Sequence, residues 1–237
     1  MQSVSPQYEA EEKITVNGNV DLYAVVFNRT TETDLTEDQL PQVDIYKYKQ
    51  VIFVGDSRTE FMENVLTGMG ESATKNVKFV CSAGKGLDWF TTTGWAQLYS
   101  IVQHDSNSIL SKKTAVIFNF GVNDLSKSAD YAEYYNWIAP QLKSKGCELY
   151  FMSVNPVNRL MLPNAGRADR SEAAVRSFNQ YMKANLSSAY TYIDMYSYLK
   201  STGYSFASDH YGTGTVDDGL HYTTCLLYTS DAADDRI

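Results

Sequence analysis

Ser57 follows a run of apolar, mostly β-branched residues, Val51-Ile52-Phe53-Val54, and lies within Gly55-Asp56-Ser57-Arg58-Thr59. The apolar run predicts a buried strand over 51–54. Thr59 to Leu66 opens with polar residues and carries apolar ones at helical spacing, which predicts a helix. A hydroxyl on the turn between a parallel strand and its helix lies at the carboxyl edge of the sheet, beside the unspent N–H groups of the helix start. That is a sensible place for a nucleophile, although a helix cap is the plainer role for a serine there. Serine attacks only when a base takes its proton, and histidine, with an ordinary pKa of about 6.5, suits that task at neutral pH. Of the three histidines (His104, His210, His221), only His221 follows an acid, Asp218, by three residues from a glycine-containing loop, Asp217-Asp218-Gly219-Leu220-His221-Tyr222. A carboxylate so placed can hold the imidazole in one tautomer and stabilise its protonated form. Asp217 and, more remotely, Asp209 compete for that task, while His104 and His210 read as structural or exposed.

These residues need a frame that brings them together. From Tyr48 onward strands and helices alternate, which predicts a parallel sheet covered on both faces. Strands are expected at 51–54, 77–81, 114–120, 148–154 and 190–194. Helices are expected within 87–104, over 129–145 and over 171–186, the last with an approximate capping box at Ser171. In a doubly wound sheet the residues after successive strands meet in one crevice. Three strand ends stand out: Gly55-Asp56-Ser57, the Gly84 of Ser82-Ala83-Gly84-Lys85-Gly86, and Gly121-Val122-Asn123-Asp124. Gly84 lets backbone approach a substrate without a Cβ in the way. Asn123 alone would read as a turn residue, and Asp56 as a residue that steadies the nucleophile turn. Trp89, Met152 and Asn155 are candidates for either pocket lining or core. Cys81 and Cys147 read as small buried thiols at strand ends.

Taken together, Gly-Asp-Ser, Gly84, Gly-x-Asn-Asp and Asp-x-x-His, in this order over residues 48–224, resemble the motifs of the SGNH (GDSL-type) hydrolases, and Gly-Asp-Ser-Arg-Thr with Asp-Gly-Leu-His-Tyr resembles their bacterial secreted branch. The resemblance implies a flavodoxin-like α/β fold: three layers around a doubly wound, mainly parallel, five-stranded sheet, preceded here by a short N-terminal β appendage. It implies Ser57 as nucleophile, His221 as base and Asp218 as its orienter. It also implies an oxyanion hole from the Ser57 and Gly84 N–H groups and the Asn123 amide, with Asp56 and Asp124 in support. One departure is Tyr222, where the family often has Pro after its His. The activity implied is hydrolysis of acyl esters through an acyl-enzyme, with short O-acetyl groups on carbohydrate as the first expectation and no metal or organic cofactor. Lipase, lysophospholipase and acyltransferase activities share the fold. A non-catalytic carbohydrate-binding module and a phosphate binder are the readings from other classes.

Composition bounds the rest. The 237 residues hold one substantial domain with a small appendage, and 43% hydrophobic with 20% charged residues is ordinary for a globular protein. The net charge of −8 argues against nucleic acid or an anionic membrane as partner. No apolar run reaches the length of a membrane span. Three cysteines (Cys81, Cys147, Cys225) give neither a disulfide framework nor paired metal-ligand spacing. Aromatic richness, with 18 Tyr, 10 Phe and 3 Trp, fits carbohydrate handling and an extracellular or cell-surface setting. Lys13 to Val26 reads as a hairpin around Asn17-Gly18. It resembles the end of the small β-repeats of bacterial surface proteins, so 1–29 is expected to be such a remnant and 30–47 a linker, with an extra strand pair packed on the main domain as the equal alternative. Residues 225–237 resemble the translation of a sequencing adapter, which implies that the natural chain is cut near Thr224. That tail carries three Asp and one Arg, leaving about −6 for the rest.

Overall fold

Val, Ile and Phe at successive positions of a strand reach opposite faces of a sheet, so a strand apolar throughout needs cover on both sides. The computed structural model, which describes residues 48–68, 76–105, 113–163, 166, 168–202 and 218–222, meets that demand. Strand β1 (Gln50–Gly55) leads into helix α1 (Ser57–Gly68), followed by β2 (Val77–Cys81). A helix over 87–105, α2, is made of Leu87–Trp89, a π-helical turn Phe90–Gly94 and Trp95–Asp105. Then come β3 (Thr114–Asn119), α3 (Ser128–Ser144), β4 (Cys147–Met152), α4 (Glu172–Asn185), β5 (Tyr190–Ile193) and α5 (Met195–Thr202). Each strand and helix expected from 48 to 202 is present, with ends shifted by a residue or two. The proposed appendage and linker at 1–47 and the tail at 225–237 lie outside the described residues.

The five strands are all parallel, in the order β2-β1-β3-β4-β5. Strand order reverses between β1 and β3, which pair from Gln50 with Thr114 to Gly55 with Asn119. The crevice at such a reversal, outside the carboxyl ends, is where open α/β sheets bind ligands. The pleat divides the core in two. Ile52, Val54, Val116 and Phe118 face a large cluster closed by Phe90 and Leu98 of α2, Tyr135, Ile138 and Leu142 of α3, and Val175, Phe178 and Met182 of α4. Val51, Ala115 and Ile117 face the other side, with Tyr48 and the half-buried Phe53, Tyr150 and Met152. Met152 therefore packs with the core, as does Trp89, whose ring lies 6.1 Å from that of Phe120.

Helix α4 starts at a true cap: the Ser171 hydroxyl accepts the Ala174 N–H at 3.0 Å. The reciprocal half of a capping box is missing, because the third helical residue is Ala174; Glu172, at the first position, accepts the Tyr196 hydroxyl at 2.6 Å. Cys147 is buried as expected. Cys81 is only half-buried, and its Sγ donates to Glu63 Oε2 at 3.1 Å. Burial and that acidic neighbour push the Cys81 thiol well above its usual range.

Candidate active site

The turn after β1 sets Ser57. Asp56 caps α1, its Oδ1 accepting the Arg58 N–H at 3.0 Å and its main-chain carbonyl accepting the Glu60 N–H at 3.0 Å. The cap is thus the acid before the serine. Ser57 becomes the first residue of α1, where the backbone N–H has no partner within the helix. Burial pushes the Asp56 carboxyl up to about 6, with the Arg58 cation and N–H pulling the other way.

The loop 218–222 returns across 164 residues of chain to place the His221 Nε2 at 2.8 Å from the Ser57 Oγ. On the far side of the ring, Nδ1 lies 2.6 Å from Asp218 Oδ2. The other oxygen of Asp218 accepts the backbone N–H groups of Leu220 at 2.9 Å and His221 at 2.8 Å. Burial raises the Asp218 carboxyl, but these bonds and the His221 ring outweigh it and hold the group at about 2. Asp218 is therefore ionised at neutral pH, which puts the imidazole proton on Nδ1 and leaves Nε2 to accept the Ser57 hydroxyl. Phe61, one turn along α1 from Ser57, stacks on the imidazole with centroids 4.3 Å apart and planes 6° from parallel. The competing acids Asp209 and Asp217 lie outside the described residues, as do His210 and the side chain of His104.

Arg58 joins this loop to the turn that carries Ser57. Its guanidinium donates to three carbonyls: Leu220 through Nε at 3.1 Å, Asn155 through Nη1 at 3.1 Å, and Pro156 through Nη2 at 3.0 Å. Tyr222 lies against the same guanidinium, 5.4 Å from ring centroid to Cζ, and its hydroxyl donates to the Pro156 carbonyl at 2.6 Å. Tyr222 thus anchors the loop through its side chain. Asn155 contributes its main-chain carbonyl, while its side-chain Oδ1 is buried with no partner among the described residues. Gly219 makes the bend possible. It has φ of +72°, and a Cβ there would lie 2.3 Å from the Asn158 carbonyl oxygen. Neither Arg58 nor Phe61 was marked as a site residue by sequence reasoning. The signals were their position, one and four residues after Ser57 on the same helix, and for Arg58 its place in Gly-Asp-Ser-Arg-Thr.

Beyond β2, Ser82 to Lys85 form a tight turn closed by the Lys85 N–H on the Ser82 carbonyl at 3.3 Å. Gly84 occupies its left-handed position at φ +69°, with open space where a Cβ would be. Glycine is demanded here by backbone conformation; the lack of a crowding neighbour is compatible with substrate approach. Among the described residues no protein group accepts the Gly84 N–H. Glu60 of α1 steadies the turn by accepting the Ala83 N–H at 2.6 Å. Asn123, past β3, donates from Nδ2 to the Lys85 carbonyl at 2.8 Å, tying the two strand ends together. Asp124 makes a second tie, accepting the Leu87 N–H at 2.8 Å and the Tyr131 hydroxyl at 2.7 Å. Ser57, Asp218 and His221 are thus joined by direct hydrogen bonds, and Gly84 and Asn123 meet through Lys85 on the strands flanking β1. Among the described residues no group of three or more His, Cys, Asp or Glu is placed to hold a metal ion, and no helix is long and apolar enough to cross a membrane.

No protein-family model matches the sequence, and no curated protein does. Solved structures do. A protein from Slackia heliotrinireducens assigned to the SGNH hydrolases is 13% identical with a TM-score of 0.51, covering 78% of this chain and 96% of its own. The acetyl xylan esterase AlAXEase is 12% identical with a TM-score of 0.51, covering 77% of this chain and 96% of its own. At such identities the likeness is one of fold: the chain has the fold of the SGNH hydrolases.

Proposed function

We propose that this chain, built on the SGNH hydrolase fold, is a serine esterase that cleaves short acyl groups, first of all O-acetyl, from carbohydrate. The observation that carries the reading is the unbroken line of hydrogen bonds from Asp218 through His221 to Ser57. In the reaction, Ser57 Oγ attacks the ester carbonyl as its proton passes to Nε2, and the imidazolium rests against the ionised Asp218. The carbonyl oxygen becomes an anion that the Ser57 and Gly84 N–H groups and the Asn123 amide stabilise. The intermediate collapses as His221 returns the proton to the departing sugar oxygen, leaving Ser57 acylated. Water, deprotonated by His221, then releases the acid. The acetyl preference is supported by the aromatic-rich composition and by the acetyl xylan esterase that shares the fold.

A fluorophosphonate probe together with a panel of esters tests this. The intact protein labels once, Ser57→Ala does not label, and acetylated xylo-oligosaccharides turn over faster than octanoyl esters. Labelling that survives Ser57→Ala would remove the proposed nucleophile. A preference for octanoyl esters would redirect the substrate toward lipids.

A further inference from the structure

A side-chain amide has one end that donates and one that accepts, nearly identical in shape, so Asn123 serves as a donor only if the correct end faces the substrate. Two neighbours decide which end that is. Oδ1 accepts from Nη2 of Arg170 at 2.9 Å, and Nδ2 donates to the Lys85 carbonyl at 2.8 Å. Arginine offers no lone pair and a carbonyl offers no proton, so a flipped amide would set donor against donor and acceptor against acceptor. Arg170 is itself held: Nε donates to the Val122 carbonyl at 2.6 Å and Nη1 to the Ala168 carbonyl at 2.9 Å. The next residue, Ser171, caps α4, so the arginine stands at a fixed helix start. Its charge also reaches the nucleophile turn, where it is one of the cations that pull the Asp56 carboxyl down against burial.

We propose that Arg170 is a positioning residue for oxyanion stabilisation, locking Asn123 so that an N–H faces the reacting oxygen and polarising that amide toward donation. The inference rests on the esterase reading and on Asn123 as an oxyanion donor. One N–H of Nδ2 is spent on Lys85; the second is the one left for substrate. A cation behind Oδ1 draws electron density through the amide, which strengthens the remaining N–H as a donor to a developing negative charge.

The test is a double-mutant cycle on p-nitrophenyl acetate hydrolysis with Arg170→Met, Arg170→Lys and Asn123→Ala, alone and combined. Asn123→Ala should lower kcat by about 10²–10³, the usual loss for one oxyanion donor, and Arg170→Met by roughly tenfold with KM nearly unchanged. On the Asn123→Ala background Arg170→Met should cost almost nothing, because the group it orients is gone. Arg170→Lys, which keeps charge without the fork, should fall between wild type and Arg170→Met, and it carries the same comparison if Arg170→Met does not fold. The side-chain amide resonances of Asn123 in a ¹⁵N spectrum should move in both Arg170 variants. An equal loss on both backgrounds, or unmoved Asn123 resonances, overturns the proposal while leaving the esterase reading intact. Wild-type protein without Ser57-dependent hydrolysis overturns both.

Discussion

Two buried acids flank Ser57, and their surroundings drive them apart. Asp218 has its folded value below its unfolded one, moving from 3.8 to about 2, so the stability it contributes is complete above about pH 4 and is lost as pH falls toward 2. Asp56 moves the other way, from 3.8 to about 6. The native state keeps that proton where the unfolded chain has shed it, so stability falls as pH rises from about 4 to 6, by up to roughly 3 kcal/mol. Urea unfolding in steps from pH 2 to 7 separates the two. Asp56→Asn, which still caps a helix, should flatten the fall between pH 4 and 6; an unchanged slope there would refute the assignment. Asp218→Asn should reduce the loss below pH 4, to which Glu148 and Asp169 also contribute, and lower kcat by about 10³–10⁴, because the imidazole then takes the wrong tautomer. The types and spacing of Ser57, Asp218, His221, Gly84 and Asn123 were visible in the sequence because each reacting or bending group is a local signal. The state of Asp56 was not, since it depends on burial contributed by distant segments.

At the scale of elements, the loop 218–222 has little regular structure of its own and is held by anchors. Arg58 donates to Leu220 across 162 residues and to Asn155 and Pro156 across 97 and 98. Such links leave no periodicity, which is why reading along the chain located the strands within a residue or two but passed over the arginine. Replacing Arg58 with Met should cost about 3–5 kcal/mol, because three carbonyls lose their donor at about 1–3 kcal/mol each, and should speed hydrogen exchange at Leu220 and His221 before the rest of the sheet responds. Arg58→Lys, with one donor head in place of a fork, should melt closer to wild type yet still lose kcat. Gly219→Ala should be destabilised by about 1–3 kcal/mol from the left-handed backbone alone, with further loss from the Asn158 carbonyl, read as a lower melting midpoint and a lower kcat. An Ala variant with wild-type turnover would show that the loop has another route to the same geometry.

For the molecule as a whole, the site depends on a sheet edge that keeps its shape. Phe118 of β3 is fully buried, with the rings of Phe90, Tyr135 and Tyr190 within 6 Å of its own. Phe118→Ala should therefore cost about 3–5 kcal/mol in chemical denaturation. The class of this sheet was legible because apolar runs of strand length alternated with helical patterns. Cover on both faces was legible too, but the particular partners were not, because the sharing of Phe118 among α2, α3 and β5 is a property of packing. The span of chain between Ser57 and His221 has a consequence in time as well as in space. Synthesis delivers the serine turn first and the imidazole 164 residues later, so over that interval the growing polypeptide carries the hydroxyl without its partner. On the esterase reading, the chain and its surroundings are then spared an active nucleophile until the segment bearing His221 has emerged.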